Sequence, residues 1–210
     1  MNINEIIKNI NVNCHSSIQV KDYFFDPFKA EGLDKTARVV FLTHTHYDHL
    51  DLDSLKNVVG IQTIIVATKD AEKTLEESFP TSKKIYVKPN ENFEVLGATV
   101  GTFPAYNINK NFHKKESNWV GYKLTLEGTS YAVLGDTDVT PELKNLKCDV
   151  LFVPIGGTYT MTANEAATLV NLIKPKLVIP VHYNSVVGNK EDEKTFISNL
   201  NKDIICKTFL

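Results

Sequence analysis

The sequence predicts an α/β protein of two mixed β-sheets with helices on their outer faces. Two observations carry this. Strand-like apolar runs crowd the first two-thirds of the chain, with helical stretches between them, and the last third alternates helix, strand, helix, strand. A third observation, a burst of histidines directly after one apolar strand, marks where such a fold would place its chemistry.

The elements follow in order. Ser17 to Val20 and Asp22 to Phe25 form an opening hairpin that ends at Asp26-Pro27. Arg38 to Thr43 is a short strand running into the histidines, and Asp53 is placed to cap a short helix. Thr63 to Thr68 is a strand, and Asp70 opens an amphipathic helix that Pro80 must stop. Lys84 to Lys88, Phe93 to Leu96 and Thr99 to Phe103 are extended. Val120 to Leu126 and Ser130 to Leu134 flank Glu127-Gly128-Thr129, a hairpin signal. Then come a helix at Pro141 to Leu146, a strand at Val150 to Pro154, a helix at Thr162 to Ile173 and a strand at Leu177 to Val181. A helix from Glu191 to Leu200 and a strand from Ile204 to Phe209 finish the chain. With no repeat, low-complexity tract or linker, residues 1–210 are expected to form a single domain.

Composition narrows the function. A net charge of −2 and the lack of a long basic arm argue against nucleic acid or an anionic membrane as partner. Met1 to Val12 lacks the basic start and apolar core of a signal peptide, and no apolar run approaches the ~20 residues of a membrane span. Cys14, Cys148 and Cys206 are odd in number and widely spaced, so free thiols in a reducing cytoplasm are expected. The oligomeric state is left open.

Thr43-His44-Thr45-His46-Tyr47-Asp48-His49 places four potential metal ligands within six positions, and it uses three of the chain's six histidines. Imidazole nitrogen and carboxylate oxygen both suit zinc. His44 and His46 point the same way on an extended backbone, while Asp48 and His49 lie where the chain turns and can face a second ion. A loop with only capping roles needs no such density of ligands.

Asp136 and His182 each end an apolar strand, and Asp136 can bridge two cations through its two oxygens. Taken alone, Gly135-Asp136-Thr137-Asp138 is also a plain turn, and His182 a rim residue. Asp26 is either the carboxylate that holds the far ring nitrogen of a ligand histidine or simply a turn before Pro27. His15 is either a similar support or a core-edge histidine.

The HxHxDH run after an apolar strand resembles the signature of the metallo-β-lactamase superfamily. Cys14-His15-Ser16-Ser17, Phe25-Asp26-Pro27-Phe28, Gly135-Asp136-Thr137-Asp138, Pro154-Ile155-Gly156-Gly157-Thr158-Tyr159-Thr160-Met161 and Pro180-Val181-His182-Tyr183 resemble, in order, motifs of one subgroup of uncharacterised metal-dependent hydrolases. Its better-known relatives act on sugar-phosphate lactones and N-acylated phospholipids, as N-acyl-phosphatidylethanolamine phospholipase D does. The resemblance runs from Val12 to Gly188. It implies an αββα sandwich and two divalent metals, with zinc expected and Mn2+ or Fe2+ as alternatives. By the same resemblance His44 and His46 hold the first metal, Asp48 and His49 the second, Asp136 bridges both, and His182 completes the second site.

One departure stands out. The family places a histidine directly after the strand that here ends in Phe103-Pro104-Ala105-Tyr106, and this chain has Asn107. His113 follows six residues later. A neutral amide oxygen is a poor zinc ligand beside two imidazoles, so His113 is expected to complete the first site and Asn107 to bond substrate or water.

The expected activity is hydrolysis of an ester, lactone, phosphodiester or amide of a small molecule, with Asp48 orienting the attacking water. Tyr159 is either a donor to a leaving group or a residue packed on its loop. Lys110, Lys114 and Lys115 either attract an anion or are solvated. Two other readings remain. One is an iron-dependent oxidoreductase like the persulfide dioxygenases, since the di-iron flavoproteins of this fold carry glutamate where His46 stands. The other is a non-catalytic metal-binding scaffold.

Overall fold

The computed structural model describes residues 2–31 and 36–210. The chain divides into two compact units, Met1–Lys88 and Pro89–Leu210.

The first unit opens with α1 (Ile3–Lys8), capped by the Asn2 side chain, then β1 (Ile10–Cys14), β2 (Ser17–Val20) and β3 (Tyr23–Phe25). β4 (Ala37–Phe41), α2 (Leu52–Val58), β5 (Val59–Thr68), α3 (Glu72–Ser78) and β6 (Lys83–Val87) follow. The six strands pair in sequence order. β1, β2 and β3 are antiparallel, and β3 through β6 are parallel. Parallel strands point their carboxyl ends the same way, so the residues after β3, β4 and β5 gather at one edge. One face of the sheet offers Val40, Ile65 and Ala67 to Leu55 and Val58 of α2 and to Leu75 of α3.

The second unit begins with β7 (Asn92–Val95), β8 (Ala98–Pro104), β9 (Val120–Leu126) and β10 (Thr129–Val133), a meander of antiparallel neighbours. β11 (Val150–Pro154), α4 (Ala163–Ile173), β12 (Leu177–Val181), α5 (Lys190–Ser198) and β13 (Ile205–Cys206) continue it, with β10 to β13 parallel. β9 opposes both β8 and β10, so β8 shares the direction of β10, β11 and β12. Their carboxyl ends meet at one edge. α4 starts from a reciprocal capping box between Thr162 and Glu165. It packs Ala163, Ala166, Ala167, Val170 and Ile173 against Ala132, Leu151, Val153 and Val178 of the sheet. Both sheets are thus mixed and carry helices, as the sequence predicts.

Several boundaries differ from the sequence reading. Asp51, not Asp53, caps α2. Its side chain accepts the Asp53 amide, at 3.1 Å, and the Ser54 hydroxyl, at 2.6 Å. Asp70 sits in a short 3-10 turn leading into α3, and the stretch expected as a helix at Pro141 to Leu146 is a 3-10 turn at Glu142–Asn145. The last strand spans two residues instead of six. No helix among the described residues is long and apolar enough to cross a membrane.

Candidate metal centre

In the first unit the anchor is Asp26, which follows β3 and is fully buried with φ 44°. Its Oδ1 accepts the Thr43 amide at 2.8 Å, and its Oδ2 accepts the Thr43 hydroxyl at 2.6 Å and His49 Nδ1–H at 2.7 Å. The Thr43 hydroxyl spends its single proton on Asp26, so it accepts from His44 Nδ1–H at 3.0 Å. These bonds fix both tautomers, and each ring turns a lone pair outward at Nε2. The amides of His49 and Leu50 return to the His46 carbonyl at 3.0 and 2.8 Å, a tight turn that folds Asp48 and His49 back toward the strand end.

The donors then converge. His44 Nε2 lies 3.2 Å from His46 Nδ1. Two nitrogens on one tetrahedral zinc, each at about 2.0–2.1 Å, sit about 3.3 Å apart, so the pair matches one edge of such a site. Ligand atoms of His15, Asp48 and His49 lie within 4.8 Å of one another, and His15 Nε2 is 3.0 Å from Asp48 Oδ2. His15, at φ 53°, is buried beside that carboxylate.

The second unit gathers Asp136 after β10, His182 after β12 and His113 on the loop after β8. All three are buried. His182 Nε2 lies 2.9 Å and His113 Nε2 3.2 Å from the same oxygen, Asp136 Oδ2. Two imidazoles aimed at one carboxylate oxygen form a donor set that fits a divalent cation of the zinc or iron type. His182 takes φ 58° and its carbonyl crowds Gly156, where a Cβ would meet that oxygen at 2.2 Å.

The Asn107 side chain hydrogen-bonds to other parts of the protein. Its Oδ1 accepts both the His113 amide, at 3.1 Å, and His113 Nδ1–H, at 3.0 Å, and its Nδ2 donates to the Tyr159 carbonyl at 2.9 Å. Tyr159 packs edge-on against Phe112 with ring centroids 4.7 Å apart. Lys110 pairs with Asp138 at 2.5 Å, and Lys115 with Glu142 at 3.0 Å, so these two lysines hold acidic neighbours. Burial pushes the Cys148 thiol up to about 12 and the Cys206 thiol to about 11, so neither offers a thiolate near neutral pH.

Sequence reasoning missed Thr43, the hub that orients His44. Its position between a strand end and the first histidine was the available signal. It also missed Trp119, whose ring lies 5.5 Å edge-on from His113 and which no motif marked.

Comparison with known proteins fits this geometry. The family model for the β-lactamase superfamily domain matches residues 8–183. A metal-dependent hydrolase of Thermococcus onnurineus is 29% identical, the match covering 92% of this chain and 93% of that one. The crystal structure of a Parabacteroides distasonis protein assigned as a metal-dependent hydrolase is 26% identical with a TM-score of 0.79, over 95% of this chain and 91% of that one. A diiron β-hydroxylase from Streptomyces venezuelae shares the fold at 12% identity and a TM-score of 0.71, over 96% of this chain and 52% of its own. The chain belongs to the β-lactamase superfamily and has the metallo-β-lactamase type of fold, two mixed sheets with helices.

Proposed function

We propose that this protein is a hydrolase that uses two divalent metal ions, zinc first among them, to cleave an ester, lactone, phosphodiester or amide of a small substrate. One observation carries the reading. Buried imidazole and carboxylate donors converge at the strand ends of both units, with Asp26, Thr43 and Asn107 fixing the histidine tautomers. The family match runs through both units, which supports treating them as one working domain.

In this proposal His44, His46, Asp48, His49, His113, Asp136 and His182 would supply the metal ligands. When bound, the metals supply acidified water and a Lewis acid at neutral pH. The chain does the rest. Asp48 orients the attacking water and takes up its proton at a carboxylate oxygen, and His15 Nε2 holds that carboxylate in place at 3.0 Å. The Tyr159 hydroxyl donates to the leaving group or to the developing oxyanion.

The test is a hydrolysis screen of the metal-loaded protein across lactones, phosphodiesters, thioesters and amides, beside elemental analysis. About two metals per chain and turnover on one class are expected. No metal after reloading, or no hydrolysis by fully loaded protein, sinks the proposal. The β-hydroxylase neighbour keeps an iron-dependent oxidoreductase as the second reading, since histidine and carboxylate also suit iron(II). Iron in place of zinc, together with substrate-dependent oxygen uptake, would select it.

A further inference from the structure

We propose that Asn107 is a positioning residue that delivers His113 to the metal, so that the ligand expected directly after β8 is supplied from six residues further along. The inference rests on His113 being a ligand, as proposed above.

Three polar groups of Asn107 are committed, and each commitment has a consequence. Its amide donates to the His113 carbonyl at 2.7 Å and its Oδ1 accepts the His113 amide at 3.1 Å. Residues 107 and 113 are therefore clasped in both directions, and the five residues between them form a closed loop. Its Oδ1 also accepts His113 Nδ1–H at 3.0 Å, which puts the ring proton on Nδ1 and the lone pair on Nε2. Nε2 is the nitrogen 3.2 Å from Asp136 Oδ2. Finally, Nδ2 donates to the Tyr159 carbonyl at 2.9 Å and ties the loop to the segment after β11.

The amide orientation is fixed by these partners. Two N–H groups face one end and a carbonyl oxygen faces the other, and only Oδ1 toward His113 satisfies all three. The choice of residue follows. A histidine at 107 has no single acceptor that can take both a backbone and a ring proton, and an alanine takes neither. Trp119 also packs edge-on to the His113 ring, centroids 5.5 Å apart, so the imidazole is held by a hydrogen bond and by aromatic packing. An oxygen in this role fixes a ring's tautomer and direction, and losing such a partner commonly costs 10- to 100-fold in metal affinity.

The experiment compares wild type, Asn107→Ala, Asn107→Asp and His113→Ala. It reads the ring nitrogens of His113 in metal-free protein by 15N-labelled histidine NMR, and zinc affinity by competition with a chromophoric chelator. Wild type should carry the proton on Nδ1. N107A should lose that single tautomer and bind zinc roughly 10- to 100-fold more weakly. N107D keeps the acceptor toward His113, although it adds a charge and replaces the donor to Tyr159 with an oxygen, so it should retain the proton on Nδ1. An Nε2 proton in wild type overturns the proposal even if N107A fails to fold, and so does N107A with unchanged tautomer and affinity. His113→Ala with wild-type zinc affinity and stoichiometry would instead overturn the underlying ligand assignment, whatever the tautomer.

Discussion

At the scale of single residues, Asp48 and Asp26 show how two buried carboxylates in one unit divide labour. Asp26 spends its oxygens on Thr43 and His49 and stays a support. Asp48 approaches His15 at 3.0 Å and lies 3.8 Å from His49 Nε2, among the donors themselves. Under the proposed function, Asp48→Ala removes the group that orients water and takes its proton. Turnover should fall about a thousandfold while the fold survives, because the carboxylate acts mainly in the transition state. Near-wild-type turnover with unchanged circular dichroism would show that another group does this work. The ligand types were legible because histidine at such density has few other uses. The supports were half legible. Asp26 could be suspected from its place at a strand end, but its bond to His49 is a contact across 23 positions that no local pattern reports.

At the scale of elements, the buried strands and the capped helix α4 read cleanly from the sequence. β11 and β12 match their expected spans, being continuous apolar runs between turn residues. Short elements read poorly. α1 has six residues, fewer than two turns, so it shows no helical period, and β13 is a two-residue edge strand paired with β12. Two element-scale predictions follow from contacts. Gly156→Ala would drive a Cβ into the His182 carbonyl at the end of β12, backbone against backbone. It should cost about 2 kcal/mol or more by urea denaturation, and a cost within a few tenths would mean the loop yields freely. Asp149, beside β11, loses solvation on folding, yet bonds from Lys176 and from the Ser130 amide and hydroxyl outweigh that and lower its pKa to about 2. Its folded pKa lies below the unfolded value of about 3.9. Its contribution is therefore full above about pH 4 and is lost as pH falls through about 2. Solvent exposure keeps it to about 1 kcal/mol. Asp149→Asn should be less stable than wild type at pH 6, and the gap should shrink toward pH 2 and close below it. A gap independent of pH would assign the loss to packing.

At the scale of the whole chain, both units repeat one plan. Antiparallel strands lead into parallel ones, and donors stand at their carboxyl ends. The sequence shows no repeat because the units share direction and order of strands rather than residues. The proposed ligands divide between them, with His44, His46, Asp48 and His49 in the first unit and His113, Asp136 and His182 in the second. Each donor set is held by the folded strand ends of its own unit, so metal binding is coupled to the folding of the unit that supplies the ligands. Asp48 and Asp136 are buried carboxylates already beside imidazoles, and a bound cation would add to that compensation. Free metal a thousandfold above its dissociation constant stabilises by about 4 kcal/mol. For a chain of this size that corresponds to a rise in Tm of roughly 10 °C. Chelation should therefore lower the melting temperature by about that much, and zinc should restore it. His46→Ala and His182→Ala should each reduce the zinc-dependent rise, since each removes a proposed ligand. A melting temperature indifferent to chelator would show that no metal stabilises the fold, and a variant keeping the full rise would remove that histidine from the ligand set.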